Sequence, residues 1–188
     1  MRSQSTVLAY VNAVCRALTM LLDSSFLPRR KRTNTVDLEM KIRTSTSIKA
    51  SMGDVWPLLT KSRMDVPGLF CLGLPQPKSC ELANEVGGVG LERRCISDRG
   101  VVIQRITEWS PPTKLTFEMV RTDHTWSSDV ESLQEEFTLV DAGDKTKVTR
   151  HTTIKATGFL RLIKEVGFYL GLKRVHLYVF KNWRATAE

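Results

Sequence analysis

The sequence predicts an α+β fold: a curved, seven-stranded antiparallel sheet wrapped around one long C-terminal helix, with an extra amphipathic helix at the N-terminus. Three observations carry this. Residues 158–183, GFLRLIKEVGFYLGLKRVHLYVFKNW, hold no proline and repeat aromatic and aliphatic residues at helical spacing. Residues 40–155 break instead into short segments of strand character separated by turn residues. A helix this apolar needs a large apolar surface to lie on, and the sheet is the candidate. The enclosure between a curved sheet and a long helix is a natural small-molecule cavity.

The chain divides at its basic N-terminus. Residues 1–39 are expected to form an amphipathic helix and a basic linker, and residues 40–184 the helix-and-sheet domain. In residues 7–22, Val7, Val11, Val14, Leu18 and Leu21 fall on one helical stripe, with Asn12 and Arg16 opposite. Sixteen residues interrupted by an arginine are too short and too polar for a membrane span. An ordinary packed or frayed terminal helix, docking on the domain, on a partner or on a membrane, an organelle transit role and a decayed signal anchor all remain open for it. The run Pro28-Arg29-Arg30-Lys31-Arg32 reads as a solvated linker.

Within the domain, 40–48 is a first strand. Ser51 or Asp54 can cap a short helix through Val55, Trp56, Leu58 and Leu59, provided that Pro57 sits in its first turn. Residues 64–77, MDVPGLFCLGLPQP, are apolar but broken by prolines and glycines, and read either as a lid or as a satellite cluster under a loop. Strands at 81–86 and 89–97 meet across Gly87-Gly88. Strands follow at 101–109, 114–121, 131–140 and 146–155, linked by short polar turns. Six consecutive hairpin-linked strands make an antiparallel meander, curved enough to wrap the helix.

The chain carries a helix with Val55-Trp56, a hairpin leading to Glu92-Arg93-Arg94, and the stretch 106–115, ITEWSPPTKL. It continues through Glu135-Glu136-Phe137-Thr138-Leu139, Lys145-Thr146-Lys147-Val148-Thr149-Arg150 and the terminal helix. In this order and these motifs it resembles the SRPBCC or polyketide cyclase/dehydrase family, within the helix-grip superfamily of START domains and birch-pollen-type allergens. The likeness covers about residues 40–184. It implies a seven-stranded sheet gripping a helix around a hydrophobic cavity, but no particular reaction, since members include carriers, receptors, cyclases and enzyme subunits.

Charge narrows the partners. Of the formal net charge of +8, residues 1–32 carry six basic residues against one acid, and residues 158–188 six against two. The sheet is left near neutral, which argues against nucleic acid. Membrane-surface association through the N-terminal helix stays open. Cys15, Cys71, Cys80 and Cys95 form no CxxC pair and are expected as reduced thiols, favouring an intracellular compartment. No spacing of His, Cys, Asp or Glu suggests a metal, and no cofactor is expected. Nothing resembles a nucleophile elbow or a phosphate loop.

Strand parity supplies the candidate site. Arg93 alternates with Val89, Leu91 and Cys95; Arg105 with Val101, Ile103 and Trp109. Phe117 and Met119 lie with Leu115 and Arg121; Glu135 and Phe137 with Leu133 and Leu139; Arg150 with Val148, Thr152 and Ile154. If these are the concave faces, Arg93, Arg105, Glu135 and Arg150 enter the cavity beside Phe117, Met119, Phe137 and the helix residue Phe168. Buried charges must be paired. Either an internal Arg–Glu network pairs them, or a bulge turns one arginine outward, or an arginine holds a ligand's carboxylate, phosphate or phenol. The expected function is binding or transport of a small hydrophobic, lipid- or polyketide-like ligand. A cyclase/dehydratase-like enzyme using Glu135 or an arginine, and a peripheral membrane protein, are the alternatives. Trp109 and Trp126 read as packing residues.

The long helix carries one more expectation. At about 100° per residue, Leu162, Ile163, Val166 and Leu170 share one side, while Leu172, Val175, His176, Val179 and Trp183 share nearly the other. A bend or break between 165 and 172 would reconcile them, helped by Gly167 and Gly171, with Phe159 or Leu160 covered by something other than the sheet.

Overall fold

Met40–Ile48 (β1), Ser62–Arg63 (β2), Pro77–Leu82 (β3), Glu92–Ser97 (β4), Val101–Ser110 (β5), Lys114–Thr122 (β6), Val130–Asp141 (β7) and Thr146–Ala156 (β8) form one sheet in the order β1-β8-β7-β6-β5-β4-β3-β2. Among the described residues two helices accompany it, Met52–Thr60 (α1) and Arg161–Ala187 (α2), with a 3-10 turn at Thr125–Asp129. The computed structural model describes residues 39–70, 74–84, 86–158 and 161–188. The expected N-terminal helix lies outside the described residues, as does Cys71–Gly73 of the expected lid. Glu39–Gly68 and Pro75–Glu188 belong to one compact unit.

The antiparallel meander follows the expected course, and the return of β1 to pair with β8 curls the sheet around α2. The sheet has eight strands rather than seven. The extra one, β2, is two residues long and pairs Ser62 with Cys80 and Arg63 with Ser79, too short to leave a pattern. The expected strands at 81–86 and 89–97 also shift: β3 ends at Leu82 and β4 begins at Glu92. Gly87, Gly88 and Gly90 take positive φ and give a loop instead of a two-residue turn. At Gly87 a Cβ would lie 2.1 Å from the Trp109 ring, so only glycine lets the loop backbone rest on it. Trp109 in turn meets Trp56 of α1 edge-on at 5.3 Å between centroids.

Ser51 caps α1: its Oγ accepts from the Asp54 N–H at 3.2 Å. Pro57 therefore sits inside the helix, not in its first turn. The cost is limited because Gly53, four residues earlier, is exposed and its carbonyl can be hydrated. Val55 and Leu59 are fully buried.

The core lies between the sheet and the second half of α2. Ile42, Ile48, Leu115, Phe117, Phe137 and Val148 from the sheet and Tyr178, Val179, Phe180 and Trp183 from the helix are all buried. Trp183 contacts Phe137 at 5.6 Å and Phe180 at 5.8 Å between centroids. The start of the expected lid is strapped to the same helix. Asn182 Oδ1 accepts from the Val66 N–H at 2.8 Å, and the Tyr178 hydroxyl donates to the Val66 carbonyl at 2.9 Å.

The break expected in the long helix is absent, since α2 runs unbroken across Gly167 and Gly171. A Cβ at Gly167 would meet nothing within 4 Å, so that glycine serves no close backbone approach. The rotation of the apolar face is resolved differently. Phe168 and Leu172 carry the contact with the sheet, while Ile163, Val166 and Leu170 of the first half stay more than half exposed. Phe159 and Leu160 lie outside the described residues.

The cysteines correct another expectation. Cys80 and Cys95, paired across β3 and β4, form a disulfide. Cysteine usage therefore gives no support to an intracellular compartment. The bond spans 15 residues of chain, a loop whose closure restricts the unfolded chain by about 3 kcal/mol. Reduction is expected to lower the melting temperature by about 6–12 °C. Alkylation in denaturant should leave both thiols blocked until reductant is added; labelling of both without reductant would refute the pairing.

Candidate functional site

The concave face of the sheet carries a band of polar side chains with no exposed end. Arg93, Gln104, Glu135, Arg150, Thr152, His176 and Thr44 are all buried. Cross-strand register brings them together: Arg93 lies opposite Gln104, Glu135 opposite Thr152, and Arg150 opposite both Phe137 and Thr44.

Arg93 reaches the C-terminal turn of α1 and donates to the Leu59 carbonyl, an acceptor left over at the helix end. Its Nη2 and Nε also donate to Gln104 Oε1, at 2.7 and 3.2 Å. Gln104 Nε2 passes the chain on to Glu135 Oε2 at 3.1 Å. Arg93 Nη2 stands 3.8 Å from the same oxygen. The other carboxylate oxygen, Oε1, accepts from Arg150 Nη2. Each guanidinium also lies over a ring, Arg93 at 3.9 Å from the Phe117 centroid and Arg150 at 5.1 Å from that of Phe137. His176 completes the band from α2: its Nε2 lies 2.8 Å from the Thr152 hydroxyl and its Nδ1 3.0 Å from that of Thr44.

Charge states follow from burial and neighbours. Burial alone would raise the Glu135 pKa, but Arg150 and Arg93 overcome it and hold it at about 2. Burial lowers Arg93 to about 10, partly offset by Glu135, which leaves it cationic at neutral pH. Burial, reinforced by Arg150, drives His176 down to about 2, so its ring is neutral. Two cations and one anion are thus enclosed, an excess of one positive charge. Two buried donors in the same region, Arg150 Nε and Trp183 Nε1, have no hydrogen-bond partner among the described residues. Both side chains flank Phe137.

Of the eight sequence-predicted site residues, the structure gathers five here: Arg93, Phe117, Glu135, Phe137 and Arg150. Met119 and Phe168 fall in an adjoining apolar group, packed with Met40, Trp126 and Leu172 against Val130, Leu133 and Ile154. Arg105 does not belong. It lies on the opposite face, nearly half exposed, paired with Glu92 at 3.6 Å and Glu118 at 3.8 Å. Irregular register accounts for this. Ile106 pairs with Phe117 and Glu108 with Thr116, so Thr107 is an extra residue in β5, and Gln104, Ile106 and Trp109 turn inward although their spacing is uneven. In β6, Val120 is the extra residue between Met119, opposite Gln104, and Arg121, opposite Ile103, which places Arg121 outside, 3.8 Å from Glu92. Gln104 and His176 were the functional residues that sequence reasoning missed. Gln104 sits on the face with fewer apolar neighbours, and His176 reads as one more member of an apolar helix stripe.

A polar depression of about 500 Å³, lined by Arg63, Met64, Asp65, Lys78, Ser79 and Glu81, lies at the β2–β3 edge, away from this band. Among the described residues no group of three His, Cys, Asp or Glu could hold a metal ion.

A curled antiparallel sheet closed by a C-terminal helix is one half of the identification, and the sequence profile supplies the other. Residues 39–188 match the profile of the polyketide cyclase / dehydrase and lipid transport family. The chain belongs to that family. No curated protein matches it in sequence. Its fold is similar to that of ginseng major latex-like protein 151 from Panax ginseng, with a TM-score of 0.60 at 16% identity, covering 80% of this chain and 99% of that one. The Zhui aromatase/cyclase from Streptomyces sp. R1128 gives a TM-score of 0.59 at 13% identity, covering 80% and 94%. A START superfamily protein from Mycobacterium smegmatis gives 0.51 at 13%, covering 78% and 96%. At such identities the likeness is one of fold.

Proposed function

We propose that this family member binds a small hydrophobic ligand bearing an acidic group, and carries it unchanged. The ligand's apolar body lies between the sheet and the first half of α2, against Met119, Phe168, Trp126 and Leu172, which are only partly buried where Trp183 is fully so. Its acid reaches toward Arg150 and Trp183. The observation that supports this reading is the buried excess positive charge beside two unpartnered donors. An enclosed cation without an anion is costly, and a carboxylate on the ligand would offset that cost. Glu135 is poorly suited to catalysis as a base: held at about pKa 2 between two arginines, it has little affinity for a proton. The cyclase alternative therefore draws no support from it.

The test compares a long-chain fatty acid with its methyl ester by isothermal titration, alongside native mass spectrometry of the purified protein. The acid is expected to bind at least about tenfold tighter, the margin of one charge-assisted hydrogen bond. Trp183→Phe, which deletes one donor and keeps the ring packing, should weaken the acid about tenfold and leave the ester unchanged. Equal affinity for acid and ester would reject the charge reading.

A further inference from the structure

The outer face of α2 is the part of the molecule that the ligand reading does not use. We propose that it is a docking face for an anionic membrane surface. Ile163, Val166, Tyr169, Leu170 and Leu177 are between 42% and 61% exposed. At about 100° per residue they share an arc of about 140° with Arg174, Lys181 and Arg184, which are exposed as well. The opposite side of the helix is the one packed on the sheet, through Phe168, Leu172, His176, Val179 and Trp183.

Two features select lipid. The first is the order of the residues along the helix: apolar over 163–170 and basic over 174–184. An apolar half can sink below the headgroups while the basic half meets their phosphates. The second is charge sign. Within Arg161–Ala187 no acid lies on the arc: Glu165 falls outside it, as does Lys164, which is bound to Asp129 at 2.6 Å, and Glu188, just past the helix, accepts from the Lys49 N–H at 3.0 Å. A second copy of this chain would oppose like charges across a two-fold contact, which repel. Residues 1–32 carry six basic residues against one acid, so charge gives them no attraction to this face either. Clusters of exposed apolar residues this size call for a partner. No described helix is long and apolar enough to cross a membrane, so the contact is one of lying on the surface. This inference stands whether or not the proposed ligand is correct.

The full chain is tested by co-sedimentation with vesicles of phosphatidylcholine alone, and of phosphatidylcholine mixed with phosphatidylserine. Binding is expected to the mixed vesicles only, and to fade as salt is raised. Val166→Glu with Leu170→Glu should reduce it at least about tenfold, and Lys181→Glu with Arg184→Glu by a similar factor. All four sites are exposed, so both variants should melt as the parent does. Parent-like binding by both variants would overturn the proposal and move any lipid contact to another surface. Equal binding to both vesicle types would also overturn it. So would a dimer in sedimentation velocity that Val166→Glu with Leu170→Glu dissolves, because the face would then be a protein interface.

Discussion

Replacing Glu135 by Gln is expected to destabilise the protein by about 3–5 kcal/mol at neutral pH, read as a drop in the urea midpoint. The side chain keeps its volume, so packing is not what changes. What changes is that Arg93 and Arg150, both buried, lose the one anion between them. Each guanidinium retains a ring beneath it, and Arg93 retains Gln104 and the Leu59 carbonyl. Those partners are neutral or weakly polar and cannot balance two enclosed charges. The comparison that isolates electrostatics is the triple variant Arg93→Met, Glu135→Leu, Arg150→Met. Removing all three charges together is expected to cost far less than Glu135→Gln, because no ion is stranded. If the single variant costs under about 1 kcal/mol, water reaches the band and its charges are not enclosed.

That band was half legible in the sequence. Alternation identified Arg93, Glu135 and Arg150 as inward, because β4, β7 and β8 keep a regular period of two through those positions. It failed on β5 because parity counting assumes an unbroken strand. Val101, Ile103 and Trp109 are apolar and odd-numbered, which drew Arg105 into the same set. The extra residue Thr107 undoes that grouping, because it turns Trp109 to the face opposite Val101, Ile103 and Arg105, and nothing local in the sequence marks it. The sheet order was readable because short turns force neighbouring strands to pair. The two-residue β2 was not, because two residues carry no period. The disulfide was missed for a related reason. Cysteine spacing says little until register places Cys80 opposite Cys95. In α2 the two apolar faces were read correctly from the wheel. The inference that both must be buried was wrong, since Ile163, Val166 and Leu170 face outward.

The second large effect is a loss of stability in mild acid, and it belongs mainly to His176. The ring is fully buried, accepts from one threonine hydroxyl and donates to another, and faces Arg150, Glu135 and Lys173. Its pKa in the folded protein is about 2, pushed down first by burial and then by Arg150. In the unfolded chain it returns to about 6.5. The unfolded state therefore takes up the proton first. Stability is complete above pH 6.5 and falls as the pH drops toward 2, by about 1.4 kcal/mol per unit, or about 2.7 kcal/mol between pH 6.5 and 4.5. Glu135 acts in the same direction but lower. Its folded pKa of about 2 lies below its unfolded value, so its contribution is complete above about pH 4.5 and is lost only as pH falls through 2. His124 is also lowered, chiefly by burial and against the pull of Asp123 and Asp98, and adds to the slope in the upper window. Urea unfolding at a series of pH values separates them. His176→Gln keeps one donor and one acceptor for Thr44 and Thr152 but cannot titrate, so it should remove most of the slope between pH 6.5 and 4.5, whatever it does to stability at pH 7. His124→Gln should remove less. An unchanged slope in His176→Gln would mean that the ring is protonated without unfolding, and that the polar band opens to water well before the fold is lost.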